Sequence, residues 1–181
     1  MGKHTKSVAR MAIGIDLGDK KSRICVVDDA GDTVEEASLA TTQAAFERRF
    51  RCAPARIAIE AGTHSPWVSR SLAKLGHEVI TANPRKLRAI YENDSKDDRA
   101  DAQYLARIAR LDPKLLYPIR HRSEEAQADR EVLRARDALV RTRTTLVNHA
   151  RGAVKAFGER LPKCGTDVFA RTVAGHVPAE L

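Results

Sequence analysis

Four acidic residues of the sequence stand where predicted strands end or where a predicted helix begins. Asp16 follows a short apolar run, and Glu60 follows a second run of the same kind. Asp98 and Asp101 are three residues apart in the segment DDRADA, so on a helix they share one face. A buried carboxylate is costly unless a cation or hydrogen bonds replace the lost water. If the fold gathers these acids, it makes a site for positive charge.

Carboxylates in this arrangement are typical of metal-dependent phosphodiester chemistry. Hard divalent cations prefer oxygen ligands, and two ions about 3.5–4 Å apart must be bridged and flanked by carboxylates. The pattern therefore predicts Mg²⁺ or Mn²⁺ as the cofactor. Each acid alone also has an ordinary explanation, since Asp16 could be a turn residue, Glu60 could cap a loop, and Asp97 or Asp98 could be a helix N-cap. The joint pattern is more specific than any one residue.

The elements that position these acids are predicted from hydrophobic pattern and turn residues. The opening stretch, residues 12–38, predicts strand, turn, strand, turn and strand, with Gly18 and Gly31 in the turns. Strands and helices then alternate, which favours an α/β layer with parallel strands beside an antiparallel hairpin. The predicted elements are a helix over 42–52, a strand over 56–60, a helix over 67–75, a strand over 77–82, a helix over 85–91 and a helix that ends at Leu111.

A second kind of composition begins at Ser123. Up to Gly158 the chain contains no proline, and alanine, leucine, valine and arginine dominate, as in a long helix. Apolar residues recur seven apart in two adjacent columns, which predicts packing on a partner helix or a coiled coil. The two columns are Val132, Leu139, Leu146 and Ala153, and Leu133, Val140, Val147 and Val154.

Composition restricts the partners. The chain of 181 residues carries 32 basic and 24 acidic residues, a net charge of +8, which favours a polyanion. Nucleic acid is preferred over a membrane because no lipid-seeking aromatic face accompanies the charge. The three cysteines, Cys25, Cys52 and Cys164, form neither a metal-ligand pattern nor a disulfide framework, so we expect a cytoplasmic protein. We also expect no signal peptide and no membrane span.

The motifs GIDLG, IEAG, NPRKLR and KDDRADA, in this order, resemble those of the DEDD transposases, the insertion-sequence recombinases related to Piv-type DNA invertases. The resemblance covers about residues 12–160. It implies a RuvC-like, RNase H-type domain in which Asp16, Glu60, Asp98 and Asp101 are the catalytic and metal-binding acids. Lys96 matches the lysine of the last motif, whereas Asp97 stands where a small residue is more usual. The choice between Asp97 and Asp98 as the third acid therefore stays open.

The resemblance also implies partners and a division of the chain. Members of this family are recombinases that use Mg²⁺ carboxylate sites and are guided by a structured bridge RNA, which pairs with donor and target DNA. They carry a further carboxy-terminal domain with a nucleophilic serine, which this chain does not reach. We therefore expect this chain alone to be inactive in recombination. The expected division is a flexible basic arm (1–11), the catalytic domain (12–118), a long helix for dimerisation and nucleic-acid binding (119–160) and a linker (161–181).

Ten basic residues are predicted to contact nucleic acid, because they lie in the basic turn, beside the predicted acid site or on the long helix. Such contacts to phosphate oxygens position a protein on its substrate. The residues are Lys20, Lys21, Arg85, Lys86, Arg88, Lys96, Arg99, Arg134, Arg141 and Arg151.

Two other functions fit part of the sequence. GIDLG followed by a hairpin also resembles the phosphate-binding turn of the actin and sugar-kinase fold, although that fold needs two such lobes and gives no reason for the acids of DDRADA. Alternatively, the chain is a non-catalytic module in which the long helix dimerises and its basic face holds RNA. A melting-temperature response to ATP or to Mg²⁺ alone discriminates between the enzyme classes.

Overall fold

The computed structural model describes residues 11–87 and 98–179. The described residues up to His121 and those from Arg122 onward form two compact units. The first contains strands β1 (Ala12–Asp16), β2 (Lys21–Val27), β3 (Thr33–Ala40), β4 (Arg56–Glu60) and β5 (Glu78–Ala82), and helices α1 (Gln43–Phe50), α2 (Ser65–Lys74), α3 (Pro84–Leu87) and α4 (Asp98–Leu111), with a 3-10 turn at Pro113–Leu116. The second contains α5 (Glu124–Lys155) and α6 (Phe169–Val173).

The five strands form one mixed sheet in the order β3-β2-β1-β4-β5. The first three strands are antiparallel, whereas β1, β4 and β5 are parallel. The predicted α/β fold, a mixed sheet flanked by helices, is confirmed, and so is the long helical extension. The helix predicted over 85–91 is described only as far as Leu87, and its remainder lies outside the described residues.

One face of the sheet is covered by α1 and α2. Aromatic and branched aliphatic side chains fill this layer, and Phe46 and Phe50 of α1 are fully buried in it. Burying one such side chain contributes about 1.5–3 kcal/mol, so this layer stabilises the first unit. The strand positions that face it are odd-numbered in β1 and β4 and even-numbered in β2, namely Ile13, Ile15, Ile57 and Ile59, and Ile24 and Val26.

The other face of the sheet is covered by α4, which packs through small residues. Ala102 and Ala106 lie against Ala12 and Cys25, and Leu105 lies against Ala58. Small residues let the helix backbone approach the strands closely. Because side chains alternate along a strand, the even-numbered residues of β1 and β4 face α4.

The second unit is held together at the carboxyl end of α5. Val154, Leu161 and Val173 are buried together, and Arg151 donates hydrogen bonds to the carbonyls of Leu161 (3.4 Å) and Pro162 (3.0 Å). The segment predicted to be a linker thus contains a short helix, α6, that packs against α5. In the described part of the chain, none of the helices combines the length and the apolar character needed to cross a bilayer.

Candidate active site

Asp16 and Glu60 end neighbouring parallel strands. Ile15 is paired with Ile59, so the two acids occupy the next position of each strand, and neighbouring strands lie about 4.8 Å apart. Both side chains are half-buried. The carboxyl ends of parallel strands are where α/β sheets place their ligands.

The two acids also leave the sheet on the same face. In β1, Ala12 and Gly14 lie under α4, and Asp16 continues this even-numbered series. In β4, Ala58 packs with α4 residues, and Glu60 is two positions further on. Since side chains alternate along a strand, both carboxylates are directed to the side of the sheet that α4 covers.

The direction of α4 brings its amino end to these acids. Near the carboxyl end of the helix, the carbonyl of Ala109 accepts a hydrogen bond from Arg56 Nη1 (3.1 Å), and Arg56 is the first residue of β4. Arg110 donates to the carbonyl of Asp29, in the turn that follows β2. The helix therefore runs antiparallel to β1 and β4. Its first turn lies toward their carboxyl ends, and its positive dipole end favours the carboxylates there.

Asp101 lies immediately before the residues of α4 that contact the sheet. It precedes Ala102, whose backbone lies over Gly14, and it shares a face with Leu105, which packs on Ala58. Asp101 is half-buried. Asp98 is the first residue of α4, but its side chain lies outside the described residues, as does all of Asp97.

These acids provide an oxygen-only donor set of the kind that Mg²⁺ and Mn²⁺ prefer. Among the residues that the structure describes, no three His, Cys, Asp or Glu side chains stand close enough together to hold an ion. Asp16, Glu60 and Asp101 are among these side chains, so the structure does not bring the three within reach of one ion, and the Asp98 carboxylate lies outside the described residues. The backbone places Asp16, Glu60 and Asp101 around one edge of the sheet, and the residue types fit a divalent cation there.

The turn after Asp16 is fixed by hydrogen bonds. Thr41 Oγ1 donates to the carbonyl of Gly18 (2.8 Å) and lies 2.9 Å from the Ser22 hydroxyl, which is fully buried. The loop after Glu60 is fixed in a similar way. Gly62 and the buried Ser65 hydroxyl exchange two hydrogen bonds, of 2.9 and 2.8 Å. Both acids are therefore followed by rigid backbone.

His64 and Trp67 form a contact that joins these two loops. Trp67 Nε1 donates to His64 Nδ1 (3.2 Å), so the proton of the neutral ring is placed on Nε2. That nitrogen lies 3.5 Å from Asp19 Oδ1, in the turn after β1. The pair of His64 and Asp19 therefore connects the loop after Glu60 to the turn after Asp16.

Five of the ten basic residues predicted to bind nucleic acid lie at the same edge of the sheet. Lys20 is in the β1–β2 turn, Lys21 is the first residue of β2, Arg85 and Lys86 are on α3 directly after β5, and Arg99 is in the first turn of α4. All five are exposed. Lys86 Nζ also lies 4.7 Å from the centre of the Tyr117 ring.

The other five predicted basic residues are placed differently. Arg134 and Arg141 are exposed on α5, where each pairs with an acid of the same helix. Arg151 lies over the Phe169 ring (5.1 Å) in addition to its carbonyl contacts, so we assign it to the packing of the second unit. Arg88 and Lys96 lie outside the described residues.

Arg23 is a basic residue beside the acids that the sequence analysis did not select. It is directly opposite Asp16 in the β1–β2 pair, so the two side chains share a face of the sheet. Counting outward from the Gly18 turn would have found it, since an antiparallel hairpin pairs residues symmetrically about its turn.

The sequence matches a known protein family. A family model described as "Transposase" (DEDD_Tnp_IS110) matches residues 13–158. Because the match covers most of the chain, the protein belongs to this transposase family.

Individual relatives are consistent with that assignment. The chain is 31% identical over 173 residues to a probable family 20 transposase of Pseudomonas aeruginosa, covering 93% of this chain and 50% of that protein. It is 28% identical over 151 residues to the transposase for insertion sequence element IS1328 of Yersinia enterocolitica, covering 83% of this chain and 44% of that protein. It is also similar to Thermus thermophilus RuvC, with 16% identity and a TM-score of 0.40 over 56% of this chain and 96% of that chain. The chain spans about half the length of the curated relatives that it matches.

Proposed function

We propose that the chain is the RuvC-like catalytic domain of a DNA transposase, in which Asp16, Glu60, Asp98 and Asp101 hold divalent cations against a DNA phosphodiester. The observation that carries the proposal is the convergence of two adjacent strand ends with the first turn of α4. Asp98 is preferred over Asp97 because Asp98 begins α4 and lies three residues before Asp101. This spacing puts the two on one helical face.

In this proposal the acidic residues bind the metal ions and the basic residues contact the neighbouring phosphates. Asp16 and Glu60 would fix ligand oxygens on strand ends, and the α4 acids would complete the set from the opposite side. Two bound Mg²⁺ ions supply activation of the attacking oxygen and stabilisation of the leaving oxygen. Lys20, Lys21 and Arg85 would neutralise the neighbouring phosphates and hold the strand in register.

The nucleic-acid partners belong to the same proposal. DNA is the proposed substrate, and a structured RNA is the proposed guide, on the basis of family membership and the net charge of +8. Membership of a transposase family also favours this function over an ATP-binding kinase lobe. An ATP-dependent rise in melting temperature without a Mg²⁺ response would reverse that preference.

A thermal unfolding series tests the metal site. A ligand that binds only the folded chain at 100 times its Kd adds about 2.7 kcal/mol, which is about 5–10 °C in Tm for a chain of this size. We expect Mg²⁺ or Mn²⁺ to raise Tm by several degrees. Asp16→Asn, Glu60→Gln and Asp101→Asn should each remove most of that rise, because each deletes an anionic ligand.

Glu47→Gln is the matched control, since Glu47 lies on α1, which covers the opposite face of the sheet. It should keep the full metal response. An equal response in all four variants and the unmodified chain would contradict the assignment of the acids.

A second candidate function is supported by α5. Leu139 and Leu146 are 72% and 63% exposed, and with Val132 they form an unpartnered apolar stripe along this helix in the part of the chain that is described. Exposed apolar stripes of this kind mark interaction sites. We propose self-association through α5, as a homodimer or a higher oligomer. In a non-catalytic module this association and RNA binding would be the whole function, and the acid variants would leave every measurable activity unchanged.

A further inference from the structure

A small polar cavity adjoins the acid edge. It has a volume of about 240 Å³ and lies between β2, β3 and the first turn of α4. Small-molecule pockets usually have about 300–1,000 Å³, so this cavity suits a single ionic group better than a whole nucleotide. Its polar lining consists of Arg23, Glu36, Ser38 and Arg99.

Arg23 and Arg99 reach the cavity from different elements. Arg23 is on β2, directly opposite Asp16 on one side and Ser38 on the other. Arg99 is one residue into α4, near its positive dipole end. Both arginines are exposed, so a solvated polymer can approach them.

The cavity is open because the residue that α4 contributes to its wall is small. Ala102 on α4 is small, and Cys25, two residues after Arg23 on the same face of β2, is buried. Glu36 places a carboxylate on the wall formed by β3. The cavity lining itself carries two arginines and one carboxylate, and Asp16, opposite Arg23 on the same face, belongs to the acid edge beside it.

We propose that Arg23 and Arg99 form a subsite for one backbone phosphate of a nucleic-acid strand, next to the phosphodiester held by the acids. This inference rests on the proposed function. Arginine suits the role because its planar guanidinium donates two parallel hydrogen bonds to phosphate oxygens. Arg23 is then a substrate-positioning residue on the β2 side of the acids.

The subsite defines a path for the bound strand along the edge of the sheet. Along the sheet edge, Arg23 on β2 is followed by Asp16, then Glu60, and then Arg85 just beyond β5. Three strand spacings separate β2 from β5, about 14 Å. A strand that rises about 3.4 Å per nucleotide would cross this distance in about four nucleotides. Positive groups thus flank the acids at both ends of the path.

Binding of fluorescein-labelled 20-nucleotide DNA and RNA strands to the full 181-residue chain tests the subsite. Fluorescence anisotropy at several salt concentrations gives both the affinity and its salt slope. We expect Arg23→Ala to weaken binding about tenfold and to reduce the slope of log K against log salt by about 0.7, the value for one single-strand phosphate contact. Arg23→Lys should keep the slope and recover only part of the affinity. The DNA and RNA arms tell which strand supplies the phosphate.

Arg48→Ala is the matched control, because Arg48 is exposed on α1 and α1 covers the other face of the sheet. It should change neither quantity. If Arg23→Ala lowers Tm but leaves affinity and slope unchanged for both strands, Arg23 is only an ion-pair partner within the fold and the subsite is wrong. If the unmodified chain binds neither strand and does not respond to Mg²⁺, the proposed function fails instead.

Discussion

Gly14 sets the distance between α4 and the sheet. A Cβ at this position would overlap the carbonyl oxygen of Ala102 and lie 2.5 Å from the amide nitrogen of Ala106. Both atoms belong to helix backbone, so the clash can be relieved only by moving α4. Gly14 has no side chain that could take part in a reaction, but its small size determines how close α4, and with it Asp101, lies to the strand that ends at Asp16.

Gly14→Ala should destabilise the chain by about 1–3 kcal/mol, the usual cost of overpacking a core, and should also weaken the Mg²⁺-dependent rise in Tm. Denaturant unfolding measures the first effect and thermal unfolding the second. Gly152→Ala is the control, because nothing lies within 4 Å of a Cβ there and a helix interior prefers alanine by about 1 kcal/mol. It should stabilise the chain. Equal stability of Gly14→Ala and the unmodified chain would contradict this packing.

His121 links stability to pH. Burial and the nearby Arg70 guanidinium lower the pKa of His121 below its usual value of about 6.5. In the unfolded chain this histidine takes up its proton first as the pH falls. Folding stability should therefore be complete above about pH 6.5 and decrease below it, until the lower pKa of the folded state is passed.

Tm measured between pH 7.5 and 5 checks this prediction. His121→Gln should lose less stability over this range than the unmodified chain. His149→Gln, at an exposed position of α5, should follow the unmodified chain. If all three curves are parallel, His121 does not contribute to the pH dependence.

At the scale of elements, α5 is the clearest case for association. One apolar column contains Val154, which is 2% exposed within its own unit, whereas the other contains Leu139, which is 72% exposed. Burying two leucines against a partner helix contributes about 1.5–3 kcal/mol per side chain, and both protomers gain equally in a symmetric pair.

Leu139→Glu combined with Leu146→Glu should shift the chain to monomer, because four charges would otherwise be buried in each pair. Light scattering after size-exclusion chromatography gives the mass directly. Asn148→Glu, which is exposed and lies about 180° around α5 from Leu139, should leave the mass unchanged. A monomeric unmodified chain at high micromolar concentration would contradict self-association.

The sequence predicted local elements well and their long-range placement less well. The strand ends at Asp16 and Glu60 follow from short apolar runs bounded by turns, and the structure confirms both strands. The direction of α4 was not predictable, because it depends on Arg56 and Gly14, which are far from it in sequence.

Arginine roles were the hardest to predict. Charge alone cannot separate Arg151, which contacts carbonyls and the Phe169 ring, from Arg141, which is exposed on the same helix. Arg23 was missed because its importance comes from strand register opposite Asp16 and not from a motif. Long polar side chains take their roles from tertiary contacts, which a hydrophobic pattern does not encode.

At the scale of the whole molecule, charge is arranged around the acids. The net charge of +8 includes Lys20, Lys21, Arg85 and Lys86, which stand at the edge of the sheet where Asp16 and Glu60 end their strands. Under the proposed function, a basic border of this kind would attract a polyanion to the acids and leave the acids to bind cations. The proposed function therefore requires Asp16, Glu60, Asp98 and Asp101 to act together.

A crystal of the full chain soaked in Mn²⁺, with anomalous difference density as the readout, tests this claim most directly. We expect one or two peaks between Asp16, Glu60, Asp98 and Asp101, about 3.5–4 Å apart if two ions bind. An absence of density between Asp16 and Glu60 at millimolar Mn²⁺, with both carboxylates ordered, would contradict it.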